Sequence, residues 1–150
     1  MGQGIRVALQ VVLGIVIVVL AYFLYVSITE PYKVVERQKE LTRLTRERMS
    51  DVRTALVQYE RVHKRFPLTL DSLVMWVKTD SFMLAKMDSL FGHPVVPDSL
   101  PYSPRTGKRF EYAVNDTARV KIYLLKDPDS NDQIGSLLPD VTLLNAASWE

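Results

Sequence analysis

The sequence predicts an α+β protein. It begins with an N-terminal transmembrane helix that continues into a long amphipathic helix, followed by a small domain with a short helix and an antiparallel β-hairpin. Three observations carry this expectation. Residues 7–29 contain no charge. Apolar residues recur at helical spacing across 41–66, and two stretches around Phe110 and Ile122 alternate apolar and polar positions. The chain divides accordingly into an anchor (1–30), a long helix or stalk (31–66) and a small α+β domain packed on the helix end (67–150).

The anchor is apolar on every side, from Val11 and Val12 through Gly14 and Ile17 to Leu20, so it offers no face to water. At about 1.5 Å per residue its uncharged run reaches roughly 35 Å, enough to cross a hydrocarbon layer of ~30 Å with some tilt. Gln10 is its one strongly polar side chain, near an end, and Tyr22, Phe23 and Tyr25 cluster near the other end as an interfacial belt would. The run is longer than the apolar core of a signal peptide, and no small-x-small cleavage site follows it, so the expectation is a retained anchor.

Glu30 and Pro31 suit the first turn of a new helix, or a kink within a continuous one. The apolar stripe of that helix is read as Leu41, Leu44, Val52, Ala55, Tyr59, Val62 and Phe66, with Pro67 as its stop. Thr69 is placed to cap a short helix that has Asp71 in its first turn and Lys78 in its last. The type of segment 81–91 stays open, and 92–107, with two glycines and four prolines, reads as loop. In the hairpin, Phe110, Tyr112 and Val114 face one side. Pairing 114 with 120, 112 with 122 and 110 with 124 puts Val120, Ile122 and Leu124 on the same side, which requires a connection of odd length around residues 115–119. Segment 137–149 is apolar enough to dock as a short helix or a third strand.

Net charge is +2, unevenly placed. Residues 31–66 hold ten Lys or Arg against five Asp or Glu, and 67–150 hold eight against eleven. The basic residues after the span, including Lys33, Arg37 and Lys39, would place the domain in the cytoplasm by the positive-inside rule. The basic stalk (Lys39, Arg43, Arg46, Arg48, Arg53) reads as a solvated face, an anionic-lipid contact or a nucleic-acid surface. Acids dilute it and no aromatics are interleaved for base stacking, so no nucleic-acid partner is expected. Absence of cysteine excludes disulfides, thiolate metal sites and thiol catalysis.

No nucleophile elbow, phosphate loop or zinc-protease motif occurs, so no enzyme and no catalytic residue is expected. His63 and His93 lack an Asp, Glu or Ser partner at a recognisable spacing and are assigned structural or surface roles. Asp127, Asp129, Asn131 and Asp132 have the spacing with which calcium loops begin. Position six, however, is Asp132 rather than glycine, position twelve is Leu138 rather than glutamate, and Asp140 is the nearest remote ligand. Calcium is therefore a weak candidate, with solvated turn acids as the alternative, and no other cofactor is expected.

The order of elements resembles the type IV pilin and pseudopilin group. So do two local stretches: Arg53-Thr54-Ala55-Leu56 with Tyr59 leading to Phe66-Pro67-Leu68-Thr69-Leu70-Asp71-Ser72-Leu73, and the run from Tyr102-Ser103-Pro104 to Phe110-Glu111-Tyr112. The chain departs from that group after Gly4, where Ile5-Arg6-Val7-Ala8-Leu9 lacks the glutamate that registers pilin subunits in a filament. The stretches 70–82 and 97–110 also resemble uncharacterised single-pass envelope proteins of Bacteroidota-type bacteria. These resemblances imply an inner-membrane anchor, a periplasmic C-terminal domain, and partners among the lipid bilayer and other subunits of an envelope assembly, such as secretion, motility or surface-appendage machinery. The alternative is a cytoplasm-facing adaptor or anionic-lipid-binding module.

Overall fold

A computed structural model describes residues 2–116 and 119–150 and has an α+β architecture. Helix α1 (Gln3–His63) is followed by α2 (Leu70–Thr79) and α3 (Ser81–Phe91). Strands β1 (Glu111–Asn115), β2 (Ile122–Lys126) and β3 (Gln133–Gly135) then form an antiparallel sheet in the order β1-β2-β3. Single 3₁₀ turns lie at Pro97–Ser99 and Val141–Leu143. Two compact units result, Met1–Glu40 and Leu41–Glu150.

The first unit is α-helix throughout its described length except for Gly2. Pro31 lies inside α1 rather than opening a new helix. It lacks the N–H that would reach the carbonyl one turn earlier, and a neighbouring carbonyl, that of Tyr25, accepts a 2.7 Å hydrogen bond from Thr29 Oγ1.

In the second unit the buried positions of α1 are Thr45, Met49, Val52, Ala55 and Leu56; Ala55 and Leu56 lie three and four residues after Val52, so all five fall on one stripe. Thr45 is tolerated there because its hydroxyl donates to the Leu41 carbonyl at 2.7 Å. The expected stripe is corrected at Val62, which is 58% exposed. The expected stop is corrected too. The helix ends at His63, with Lys64 in the left-handed region (φ 57°) and its N–H donating to Glu60 O at 2.7 Å. This early exit lets Phe66 leave the helical path and pack edge-on against Tyr123 at 4.8 Å between ring centroids.

Thr69 caps α2 as expected, accepting from Ser72 N at 3.2 Å. Asp80 receives the end of α2 through its own N–H to Trp76 O, and starts α3 by accepting from Met83 N at 3.0 Å. Gly92, at φ 75°, closes α3 with a left-handed residue. Met83 is fully buried and Met87, Leu90 and Phe91 pack partly buried on the same face of α3, while Phe82 and Leu84 are exposed off that face.

The hairpin forms, but in a different register from the one expected. Tyr112 pairs with Leu125 and Val114 with Tyr123. The slip from the expected pairing is three residues, and an odd slip exchanges the faces of β2. Tyr123 and Leu125, fully buried, therefore take the core side in place of Leu124. Burying the Tyr123 ring removes the largest wholly enclosed side chain from water, and its hydroxyl is satisfied by Asn145 Oδ1 at 2.6 Å. The connection between the strands, 116–121, is even in length. Part of its expected turn, Thr117 and Ala118, lies outside the described residues. The third strand falls at 133–135, ahead of the segment expected to dock. That later segment contributes a 3₁₀ turn and an Ile134–Ala147 bridge along β3.

Candidate functional site

Along 5–28 of α1 every side chain is exposed except that of Val26, which is half-buried. The exposed large apolar ones range from 45% at Val16 and Val19 to 69% at Leu9. This is one helix long and apolar enough to cross a membrane. Packed core residues in the second unit, such as Leu56 and Tyr123, are fully buried by comparison.

The four calcium candidates share a tight turn, and three of them are held by cations. Asp132 accepts two bonds from one guanidinium edge of Arg46, Nε to Oδ2 and Nη2 to Oδ1, each at 3.0 Å, and Arg46 also lies 5.2 Å over the Trp149 ring. This bidentate pair raises the Arg46 pKa above its ordinary value. Asp129 accepts from Thr106 Oγ1 and, at 3.0 Å, from Lys108 Nζ, and these bonds hold its carboxyl below the usual carboxylate range. Asp127 is fully buried. It accepts from Ser130 Oγ at 2.7 Å, and its nearest cation is Arg105 Nε at 3.8 Å. Asp127 Oδ1 and Arg105 Nε are buried without a hydrogen-bond partner. Asn131 is exposed, and Asp140 is occupied in capping the 3₁₀ turn through Thr142. Among the described residues no group of three or more His, Cys, Asp or Glu is placed to hold a metal ion.

The two histidines separate in character. His63 stacks on Tyr59 at 4.1 Å between centroids and meets Trp76 edge-on, with its Nδ1 3.1 Å from Tyr59 O. His93, which has no acid partner at a recognisable sequence spacing, has two acids beside it in space. Its Nε2 lies 3.2 Å from Asp51 Oδ1 and 3.5 Å from Glu47 Oε1, residues far away in sequence but one turn apart on α1. The three line a cleft of about 350 Å³ with Arg48 and Ser99. Burial pushes the Asp51 carboxyl up to about 6, against the attraction of His93. Ser99 donates to Val96 O at 2.7 Å, so the cleft presents an acid–imidazole cluster with its hydroxyl engaged elsewhere.

Sequence spacing could not reveal this cluster, because its parts come from α1 and from a Gly-Pro loop. The available signal was Glu47 and Asp51 at helical i,i+4 spacing, which places two acids on one face. No protein-family model, curated protein or solved structure matches the chain.

Proposed function

We propose that this protein is a membrane-anchored, pilin-like structural or scaffold subunit of a bacterial envelope assembly. The single observation supporting this reading is the uncharged run 7–29, helical and exposed at every position but Val26 and Thr29, joined in sequence to a second unit with its own closed core. Such a helix has no water-facing side, so lipid or other apolar helices are its natural environment. The chemistry of the second unit is that of a packing module, with carboxylates engaged by arginines and a sheet folded onto the α1 stripe. The anchor supplies association in the bilayer and the second unit supplies contacts to other subunits, on the periplasmic side of an inner membrane.

The basic residues Lys33, Arg37 and Lys39 favour a second reading, a cytoplasm-facing adaptor or anionic-lipid-binding module. A pair of reporters fused after Glu150, one active only outside the cytoplasm and one only inside, separates the two. Activity solely of the cytoplasmic reporter overturns the periplasmic assignment. Deleting residues 1–30 is expected to leave a soluble monomer. A soluble oligomer would show that assembly does not depend on the span.

A further inference from the structure

The second unit sorts its arginines into two groups. Arg43, Arg46, Arg53 and Arg109 each pair with a carboxylate at 2.8 to 3.0 Å, Arg48 donates to Tyr102 O, and Arg105 to Thr42. Arg61, Arg65 and Arg119 have no such partner among the described residues, nor do the side chains of Lys64 and Lys121. Lys64, Arg119 and Lys121 line one cleft of about 500 Å³, whose apolar wall includes Phe66, Val120 and Leu144.

Backbone strain collects at the same place. Lys64 (φ 57°) and Asn145 (φ 63°) are the non-glycine residues with positive φ among those described, and both line this cleft. Asn145 is accounted for by its bonds to Tyr123 and Arg53. Lys64 keeps its backbone bond to Glu60 O but its side chain makes none, and it occupies the helix-exit position where glycine is the favoured residue. A lysine held there keeps a cation at the mouth of the cleft at a cost in backbone conformation.

We propose that this cleft docks an acidic segment of a partner protein. One apolar side chain seats against the Phe66 wall, and the flanking carboxylates meet Lys64, Arg119 and Lys121. Charge complementarity selects the acidic partner. A peptide is favoured over a phosphate or a lipid headgroup because the cations stand beside an apolar wall of Phe66, Val120 and Leu144. An apolar side chain can pack on that wall and a phosphate cannot, and a flat bilayer does not fill a concave site.

The test uses the full chain in nanodiscs of zwitterionic lipid and a fluorescein-labelled peptide, EDLEDL, read by fluorescence anisotropy. Saturable binding that weakens with salt is expected, along with loss of about tenfold or more in affinity in the double variant R119E/K121E. The same peptide with serine for leucine should bind several-fold more weakly. K64G is the separating variant. It is expected to weaken peptide binding while leaving the melting temperature equal or higher, because glycine relieves the positive φ. Equal binding by wild type and R119E/K121E overturns the proposal. So does equal binding of the serine peptide, or capture of phosphatidylglycerol vesicles or inorganic phosphate with no binding of the peptide.

Discussion

Replacing Asp51 with asparagine should make the second unit less sensitive to pH and more stable near neutrality. Burial raises the Asp51 pKa from 3.8 to about 6, with His93 and Arg48 pulling it down and Glu47 pushing it up. The folded state therefore binds this proton more tightly than the unfolded chain does. The stabilisation linked to it is fully present below about pH 4 and is lost as pH rises through about 6. A shift of roughly two units corresponds to ~3 kcal/mol at 1.36 kcal/mol per unit. Because the cleft is open to water, about 1–2 kcal/mol is the working expectation after screening. Asparagine keeps an oxygen that can accept from His93 Nε2, so the D51N variant should lose the pH slope without losing the contact. Guanidinium titrations of the full chain in micelles, followed by tryptophan fluorescence, read this unit, since Trp76 and Trp149 both lie in it. The stability difference between D51N and wild type should move in favour of the variant by about 1–2 kcal/mol between pH 4 and pH 7. Identical pH profiles for the two proteins would refute the assignment of a raised Asp51 pKa.

Three further outcomes follow from the packing. G135A should cost about 3 kcal/mol or more, because Gly135 sits at φ 78° and a Cβ there would overlap the Tyr123 carbonyl oxygen; an unchanged denaturation midpoint would refute the close approach. R105M should cost ~3 kcal/mol or more by leaving the buried Asp127 carboxylate without its cation, and the double variant R105M/D127L should recover most of the loss, so a double variant no better than R105M counts against the pair. Millimolar calcium should leave the melting temperature unchanged, since Asp129 and Asp132 are already held by Lys108 and Arg46; a rise reversed by chelator would show that these pairs yield to the ion.

The parts of this fold that could be read from sequence are those set by neighbours along the chain. The uncharged run, the Thr69 cap and the alternation that marks β1 and β2 are local signals, and each corresponds to an element in the structure. Signals of the same kind lay unused at Asp80 and Gly92, which cap and close α3. They were masked because Phe82 and Leu84 do not share its buried side. The hairpin register was not legible, because both faces of β2 carry apolar residues and tertiary packing decides between them. Tyr123 takes the inside because its ring fills space beside Phe66 while its hydroxyl reaches Asn145. The Glu47–Asp51–His93 cluster was half legible, its acids by helical spacing and its histidine not at all.

The largest change concerns charge. From sequence, the cations of 39–53 look like a basic stalk presenting one sign of charge to lipid or solvent. In the folded unit Arg46 and Arg53 are internal ties. Arg46 holds Asp132 and lies over Trp149, while Arg53 grips Glu150 through both nitrogens and donates to Asn145 O at 3.1 Å. These bonds fasten the turn after β2 and the final residues to α1, so much of that positive charge is neutralised by the fold itself. Within the second unit the cations left without a carboxylate include Arg61, Lys64 and Arg65 at the end of the helical run, and Arg119 and Lys121 from the β1–β2 connection. Net charge counted over a sequence window therefore does not by itself locate the electrostatic surface. Long side chains pair across the fold with acids that no window contains, and only the cations left over after that pairing are available to a partner.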